Sequence, residues 1–484
     1  MKKKLILFGL SILTLGIILL LPLPPVISTS SGDIALTMHG KAAIGVLVMV
    51  VILWITEAIP FPVAGFLGLV FLVITGASDL ETLVKDGFGN TIILFFIGVL
   101  IFSAAIAQTN LLKRVTTYVL YKLGHKPKMI ILAFITVGAL LSGWITDMAV
   151  AAMLMPVAVR ILKDAKLEPL KSNFGRALLI ATAWGPLVGG VSTPAGCGPN
   201  PLTMAFLKDL ANVDFSFVDW MMLGYPAMLL MIPCAWIILI RVFPLEKIEL
   251  TVAKDDFLEQ RAELGRLKRD EIITLVIFIL TITLWISGKW IGTLTGGAVG
   301  YLSISFVAIA CACLFFVPGI AVIDWQKAEK DISWGGIILI VTGLSIGMSI
   351  YNTGAAAWIA QVAFSKLGLL HPVMIIFAVV LGVSIMKVMF SSNTVTGIIM
   401  VPLLIALAGQ TGINPVLLAI PAGITSSLAF LLVTSTPTNV IPYSSGYFTI
   451  KDMARAGIWM TIASSACITL SIAVIGTITG IVSW

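Results

Sequence analysis

Hydrophobic residues form long uninterrupted stretches along most of this chain, separated by short polar segments. The stretches approach or reach the ~20 residues that an α-helix needs to cross ~30 Å of hydrocarbon. The longest are residues 42–55, 92–107, 221–240, 272–286, 298–317 and 459–482. The pattern predicts an all-α polytopic membrane protein, with about eleven transmembrane helices and two re-entrant helical hairpins.

Two short polar clusters interrupt the apolar sequence at matching positions. Residues 146–148 read Thr-Asp-Met and residues 392–394 read Ser-Asn-Thr, and in both cases a proline follows eight positions after the third residue. The clusters are 393 − 147 = 246 positions apart, and an upstream apolar motif ending in Gly98 recurs, ending in Gly343, at an offset of 245. Duplicated halves with interrupted helices at corresponding places point to a midplane binding site in transporters. We therefore predict an inverted repeat whose site needs both halves.

Each cluster is predicted to lie at the tip of a hairpin. Between Lys128 and Arg160 the one charged residue is Asp147, near the middle. A limb of ~15 residues rises only ~22 Å as a helix, which is too short to cross the membrane. The segments at about 129–160 and 372–409 are thus expected to enter, turn and leave on the same side. A pair of kinked spanning helices is the alternative.

Helices that begin again after a turn favour an anion. The free N–H groups and dipole of such a helix present about half a positive charge. Breaks rich in Gly, Pro and Thr at 192–200 and 433–439 predict two further discontinuous helices at the same site. The candidate substrate-binding residues are Thr146, Asp147, Cys197, Gly198, Pro199, Asn200, Ser392, Asn393, Thr394, Thr436, Pro437, Thr438 and Asn439.

Two ionisable residues lie within these apolar segments. Asp147 is one, and Lys387, the one charged residue between Lys366 and Lys451, is the other. Such residues are costly in a membrane and indicate function by default. A tethered ammonium would compensate a dianion permanently, and the unloaded carrier would then cross the membrane poorly, which favours exchange. The alternatives are that Asp147 caps its own helix and that Lys387 snorkels to the interface. The sequence does not place these two side chains relative to each other.

Composition and charge agree with a membrane protein. The chain is 59% hydrophobic and 11% charged, against roughly 25% charged in soluble proteins. Its net charge of +7 resides largely in short loops, where it indicates orientation and not nucleic-acid binding. We predict a multi-pass protein of the cell membrane, with the N-terminus cytoplasmic and the C-terminus outside. The basic, then apolar, start is interpreted as a retained helix, and a signal peptide is the alternative.

The charge pattern also divides the chain into four parts. Residues 1–38 form an N-terminal helix and outer loop, and residues 39–245 form the first repeat. Residues 246–271, the one long hydrophilic segment, are predicted to be a cytoplasmic linker. Residues 272–484 form the second repeat.

Several motifs resemble one transporter family. They are residues 54–60 (Trp-Ile-Thr-Glu-Ala-Ile-Pro), residues 392–394, Gly189-Gly190 followed by Thr193-Pro194, and residues 436–439. Together with the two-half layout they resemble the divalent anion/sodium symporter family, the di- and tricarboxylate carriers of the INDY type, over nearly the whole chain. The resemblance implies an inverted repeat of eleven transmembrane helices and two hairpins, assembled as a homodimer and working by an elevator motion. It also implies that signature side chains contact substrate carboxylates, and that any sodium is held near Ser142, Thr146, Asp147 and Asn393.

The chain departs from the family pattern at the first signature. Asp147 stands in place of asparagine, Met148 in place of threonine, and Cys197-Gly198 in place of Thr-Pro. With Lys387, these departures favour sodium-independent exchange of C4-type dicarboxylates: succinate, malate, fumarate and, as a further candidate, 2-oxoglutarate. Sodium-coupled dicarboxylate symport is the alternative. No cofactor and no bound metal are expected.

Two other classes of function are less favoured. An intramembrane enzyme needs a nucleophile and base, or a metal cluster, at membrane depth, and no histidine lies mid-span. The five cysteines lack metal-ligand spacing, so packing is their expected role. An anion channel can be built from similar broken helices. We predict a carrier whose partners are small dicarboxylates, lipid and a second copy of the chain.

Overall fold

The computed structural model describes residues 2–29, 32–123, 126–246, 262–294, 302–364 and 370–482. In these ranges the chain forms twenty-one α-helices and one two-stranded antiparallel ribbon, β1 (Ile27–Thr29) and β2 (Gly32–Ile34). The first helices are α1 (Lys2–Leu20), α2 (Met38–Thr56), α3 (Phe61–Ile74), α4 (Leu80–Gly87), α5 (Ile92–Ala107), α6 (Leu111–Leu123), α7 (Pro127–Ser142), α8 (Asp147–Asp164), α9 (Asn173–Gly190), α10 (Pro199–Ala211) and α11 (Phe217–Val242). The others are α12 (Arg269–Leu294), α13 (Ile304–Leu314), α14 (Trp325–Asp331), α15 (Trp334–Asn352), α16 (Ala355–Phe364), α17 (Pro372–Met386), α18 (Asn393–Thr411), α19 (Pro415–Ser426), α20 (Pro437–Tyr443) and α21 (Ile450–Ile478).

The order of helices repeats along the chain. After α1, helices α2 to α11 and α12 to α21 follow each other in the same sequence of long and short elements. The short α4, for example, has its counterpart in the short α14. Both final helices, α11 and α21, begin with a capping box, at Ser216 and Thr449, which are 449 − 216 = 233 positions apart. This order agrees with a duplicated unit, and the inverted orientation of the copies stays a prediction.

The two predicted hairpins are each broken at the expected place. Helix α7 ends at Ser142 and α8 begins at Asp147, whereas α17 ends at Met386 and α18 begins at Asn393 after a short 3₁₀ turn. Each break puts its polar cluster at the start of the second limb. The return of each hairpin to its side of entry stays a prediction.

Some predicted boundaries were wrong. The span expected at 298–317 contains the shorter helix α13, and α21 begins nine residues before the expected 459 because the capping box of Thr449 and Asp452 starts it there. Helix α12 begins at Arg269, inside the predicted linker, while residues 247–261 of that linker lie outside the described residues. In the described part of the chain, eight helices, or nine counting a bent pair, are long and apolar enough to span a membrane, against about eleven predicted. The difference arises because broken spans are divided into shorter helices.

Helix α9, which packs against both limbs of the first hairpin, is buried on all sides. Sixteen of the eighteen residues of α9 are buried, as expected for a helix that is apolar around its whole circumference. Close approach of α7 and α9 requires glycine, because a Cβ on Gly189 would lie 2.1 Å from the carbonyl oxygen of Ala139. This dense packing holds the broken ends of the neighbouring helices in fixed positions.

Candidate functional site

The first residues of four helices meet in one buried cluster. These helices are α8, α10, α18 and α20, which begin after the four breaks predicted from the sequence. The amide of Asn393 on α18 donates hydrogen bonds to Asp147 on α8 and to the Cys197 thiol just before α10. The Thr438 side chain on α20 lies within hydrogen-bonding reach of the Asp147 carboxylate. The two halves of the chain therefore build one site together.

A chain of hydrogen bonds connects the two ionisable residues at the centre of this cluster. Lys387 Nζ donates to Asn393 Oδ1 at 2.6 Å, and Asn393 Nδ2 donates to Asp147 Oδ2 at 3.2 Å. The three residues are 2%, 8% and 9% exposed, respectively. The snorkelling alternative for Lys387 was wrong, because its ammonium is buried against the second signature.

Lys387 and Asp147 carry opposite charges at the two ends of this hydrogen-bonded chain of Lys387, Asn393 and Asp147, which we call the relay. In a medium of low dielectric, a buried charge is tolerated when an opposite charge and hydrogen bonds accompany it. When Lys387 and Asp147 are both ionised, the relay carries no net charge. The relay itself therefore supplies no net positive charge to a bound dianion, which leaves the helix N-termini, at about half a unit each, and any bound cation to supply it.

The first hairpin tip is capped poorly. Thr146 is the N-cap residue of α8 but makes no capping hydrogen bond with its side chain. Asp147 Oδ1 instead accepts the backbone N–H of Met148 at 2.8 Å. Asp147 is thus the first residue of α8 and not its N-cap, as the capping alternative had it; one carboxylate oxygen accepts from Met148, while the other faces Asn393. Met148 itself is 45% exposed.

The second hairpin tip carries a complete signature. Ser392 caps α18, with its hydroxyl accepting the N–H of Val395 at 3.5 Å. Thr394 lies against the break before α10, since a Cβ on Gly198 would be 2.7 Å from the Thr394 hydroxyl oxygen. Glycine at 198 thus permits the closest approach of this loop to the signature.

Two asparagines brace the discontinuous helices in the same way. Asn200 Nδ2 donates to the carbonyls of Gly190 and Thr193, both at 2.7 Å, which lie ten and seven positions earlier. Asn439 Nδ2 donates to Ala429 and Leu432, at 2.7 and 3.1 Å, also ten and seven positions earlier. Both residues are fully buried. Their amide nitrogens hold the backbone of the break before α10 and of the break before α20. The two asparagines therefore act on the site through the backbone.

The remaining predicted residues line the same breaks. Thr436 and Thr438 are buried and hydrogen-bonded to each other at 3.4 Å. Pro437 is exposed and occupies the first position of α20, where a missing N–H costs nothing. Pro199 has the same position in α10. The break before α20 begins at Ser427, six residues before the expected Val433, because α19 ends at Ser426.

One oxygen near the first tip lacks a partner. The Ser142 hydroxyl is fully buried and makes no hydrogen bond to any residue that the structure describes. Broken helices with free oxygens are typical cation ligands in transporters. The position 246 residues after Ser142 is Val388, so the second tip has no such hydroxyl and has Lys387 beside it. Within the described ranges, no group of three or more His, Cys, Asp or Glu side chains is placed to hold a metal.

Sequence reasoning missed two contacts of the site. Ser427 donates to Asn200 Oδ1 at 3.1 Å, and its carbonyl oxygen is 3.5 Å from the Asn393 amide. The signal in the sequence was the pair Ser426-Ser427 at the end of an otherwise apolar segment. The second contact is between Ser391 and Glu57, whose hydrogen bond spans 334 positions. The resemblance had included Glu57 in a motif without placing it near a hairpin.

Solved structures share this architecture. The YdaH transporter of Alcanivorax borkumensis aligns over 99% of this chain and 97% of its own, with a TM-score of 0.55 and 14% identity. MtrF of Neisseria gonorrhoeae, described among antimetabolite efflux pumps, aligns over 96% and 94%, with a TM-score of 0.57 and 12% identity. The fold is that of a polytopic α-helical transporter, which confirms the predicted fold class.

Sequence comparison establishes the family. The profile described as "Sodium:sulfate symporter transmembrane region" matches residues 2–482. The chain belongs to this family, as the resemblance to the divalent anion/sodium symporters predicted. It is therefore a multi-pass membrane transporter, and the prediction against an enzyme is confirmed.

Its relatives include sodium-dependent dicarboxylate transporters named SdcS. That of Staphylococcus saprophyticus is 28% identical over 435 residues, covering 86% of this chain and 82% of the relative. That of Staphylococcus aureus is 29% identical over 436 residues, with the same coverage.

Proposed function

We propose that this protein is a secondary transporter of C4-type dicarboxylates such as succinate, malate and fumarate. The observation that carries the proposal is the buried relay of Lys387, Asn393 and Asp147, set among helix N-termini from both halves. Helix N-termini and a buried ammonium favour an anion. The names of the SdcS relatives support a dicarboxylate as that anion. 2-Oxoglutarate is a further candidate substrate.

Binding requires the relay to open. The Asn393 carbonyl accepts from Lys387, and its amide donates to Asp147, so both ends of this side chain are already engaged. A substrate carboxylate would take the amide N–H of Asn393 or the ammonium of Lys387. Thr394, Ser392 and the adjacent helix N-termini would supply further donors to the carboxylates.

Sodium coupling is the mode of transport that we favour. Because Asp147 offsets Lys387 when both are ionised, bound cations would add positive charge for a dianion to that of the helix N-termini, and the buried Ser142 hydroxyl offers an unused oxygen beside the first tip. The sodium dependence in the names of the relatives supports the same mode. The expectation of sodium-independent exchange was drawn from Lys387 together with the departures at Asp147, Met148 and Cys197-Gly198, and it relied on an ammonium that stays available to the substrate. A pair with Asp147 offsets that ammonium when both groups are ionised.

Sodium-independent exchange is the second candidate. It is favoured by the position of Lys387, whose ammonium touches the second signature where a cation would otherwise lie. A proton on Asp147 would leave this ammonium uncompensated and make it the fixed partner of the substrate. The elevator motion and the homodimer belong to the proposal as predictions from the family resemblance, and the cytoplasmic N-terminus belongs to it as a prediction from the distribution of charge.

Uptake of labelled succinate into proteoliposomes tests these proposals. Four arms combine external sodium, present or absent, with internal unlabelled succinate, present or absent. Sodium symport predicts uptake into empty vesicles that requires sodium, while exchange predicts sodium-independent uptake into loaded vesicles alone. Failure of folded protein to take up succinate in all four arms, and to take up labelled malate or fumarate in the same four arms, would overturn the substrate assignment.

A further inference from the structure

Glu57 holds an unusual backbone conformation at the end of α2. Its φ and ψ are 48° and 35°, in the left-handed region. A residue with a Cβ is strained in this region, and glycine or asparagine is the usual occupant. Such outliers are found at functional positions, where the surrounding structure maintains them. The conformation directs attention to the contact that the Glu57 side chain makes.

The Glu57 carboxylate binds the tip of the second hairpin. Ser391 Oγ donates to Glu57 Oε1 at 2.8 Å. Ser391 directly precedes Ser392, the cap of α18, and lies two positions before Asn393 of the relay. A displacement of Ser391 would therefore move the substrate signature with it.

This contact joins α2 to the tip of the second hairpin, whose two limbs have different neighbours. Limb α18 packs on α15, as α2 and α3 do, whereas limb α17 packs on α19 and α21. Glu57 is exposed and Ser391 is half-buried. A hydrogen bond in contact with water contributes little net stability, because water replaces the lost partner. It can hold a conformation and still break in every transport cycle.

We propose that Glu57 is a positioning residue that holds the second hairpin tip through Ser391, and that this hydrogen bond is released when the tip moves during transport. The inference rests on the protein being a transporter and does not depend on which anion it carries. Glu57 does not touch the relay and acts on it through Ser391.

Native Cys197 reports on this contact. Its thiol is half-buried and accepts from the Asn393 amide, so loosening of the tip exposes it. The experiment measures the rate at which a membrane-impermeant maleimide labels Cys197 in purified full-length protein. The background replaces the other four cysteines with alanine: Cys234, Cys311, Cys313 and Cys467.

Glu57→Ala and Ser391→Ala should each raise the labelling rate by about threefold to tenfold, the effect of one lost hydrogen bond. The double variant should be labelled no faster than the faster single variant, because both remove the same bond. Ser391→Thr and Glu57→Gln, which keep a donor and an acceptor, should stay within about twofold of the parent. Glu81→Ala, in the first turn of α4, is the matched acidic control and should not change the rate.

Unchanged labelling in both alanine variants would overturn the proposal, as would rates that multiply in the double variant. Equal loosening by Ser391→Thr would also overturn it, because the hydroxyl would then not matter. Thermal melting of each variant identifies misfolded protein, and the hydroxyl-retaining variant keeps the test decisive if an alanine variant unfolds. Labelling needs no transported substrate, so its outcome is independent of the succinate experiment.

Discussion

The two hairpin tips have the same architecture and different chemistry. Each begins a helix after a break, and each contributes one residue to the Asn393–Asp147 hydrogen bond. The first tip presents a carboxylate and an N-cap residue, Thr146, whose side chain makes no capping hydrogen bond. The second tip presents an amide, the capping hydroxyl of Ser392 and the ammonium of Lys387. The carboxylate of Asp147 on the first tip is thus matched by the ammonium of Lys387 beside the second tip. Neither tip can be interpreted alone.

The largest expected effect follows removal of the ammonium. Lys387→Met keeps much of the side-chain volume but leaves Asp147 as an unpaired negative charge, and breaking a buried pair this way costs about 3–5 kcal/mol. Succinate transport in proteoliposomes should fall by about two orders of magnitude or more. Lys387→Arg should also transport poorly, because a planar guanidinium does not replace a compact ammonium.

The matched control for this prediction is the double variant Lys387→Met/Asp147→Asn. It restores a relay without net charge and should recover at least about tenfold of the lost rate. Parent-like transport by Lys387→Met alone would show that the ammonium at the second tip is not needed to offset Asp147 at the first.

Removal of the bridge between the tips should have the next largest effect. Asn393→Ala removes the amide N–H that we propose a substrate carboxylate takes, and the loss of a hydrogen bond to a charged group costs about 1.5–3 kcal/mol. Succinate affinity, measured by binding to purified protein, should weaken by about tenfold to a hundredfold. Thr411→Ala, at the far end of α18, is the control on the same helix. Parent-like affinity in folded Asn393→Ala protein would remove this residue from the site.

Making the first tip more like the second should have an intermediate effect. Asp147→Asn removes the charge that offsets Lys387 and leaves the ammonium free to pair with a dianion. We expect the KM for succinate without sodium to fall by about threefold to tenfold, with a weaker dependence of uptake on sodium. A KM that rises while sodium dependence stays unchanged would show that Asp147 does not set the charge of the site.

The smallest effect is expected at Met148. This side chain is 45% exposed, although it replaces the threonine of the signature. Met148→Thr should change succinate transport by less than about twofold, as exposed substitutions commonly do. A larger gain in transport would indicate that the tip moves and brings residue 148 into the site.

Much of the architecture was predictable from the sequence because the membrane limits the choices. A chain in hydrocarbon must satisfy its backbone hydrogen bonds within helices, so apolar stretches of sufficient length predict helices directly. The breaks at 143–146 and 390–392 were predictable because small and polar residues interrupt those stretches. Helix ends set by local capping, such as α21 at Ile450, were placed less accurately, because apolar windows do not detect caps.

The sequence by itself determined that two polar breaks and two ionisable residues interrupt the membrane segments, since such residues stand out in an apolar chain. The tertiary structure alone decided that Lys387 reaches Asp147 through Asn393, that Asn200 and Asn439 brace their loops, and that Glu57 meets Ser391. The physical reason is that hydrogen bonds and charge pairs depend on distances of a few ångströms between residues far apart in the chain. A pattern of residue types reveals which groups must find a partner, and packing determines which partner each one finds.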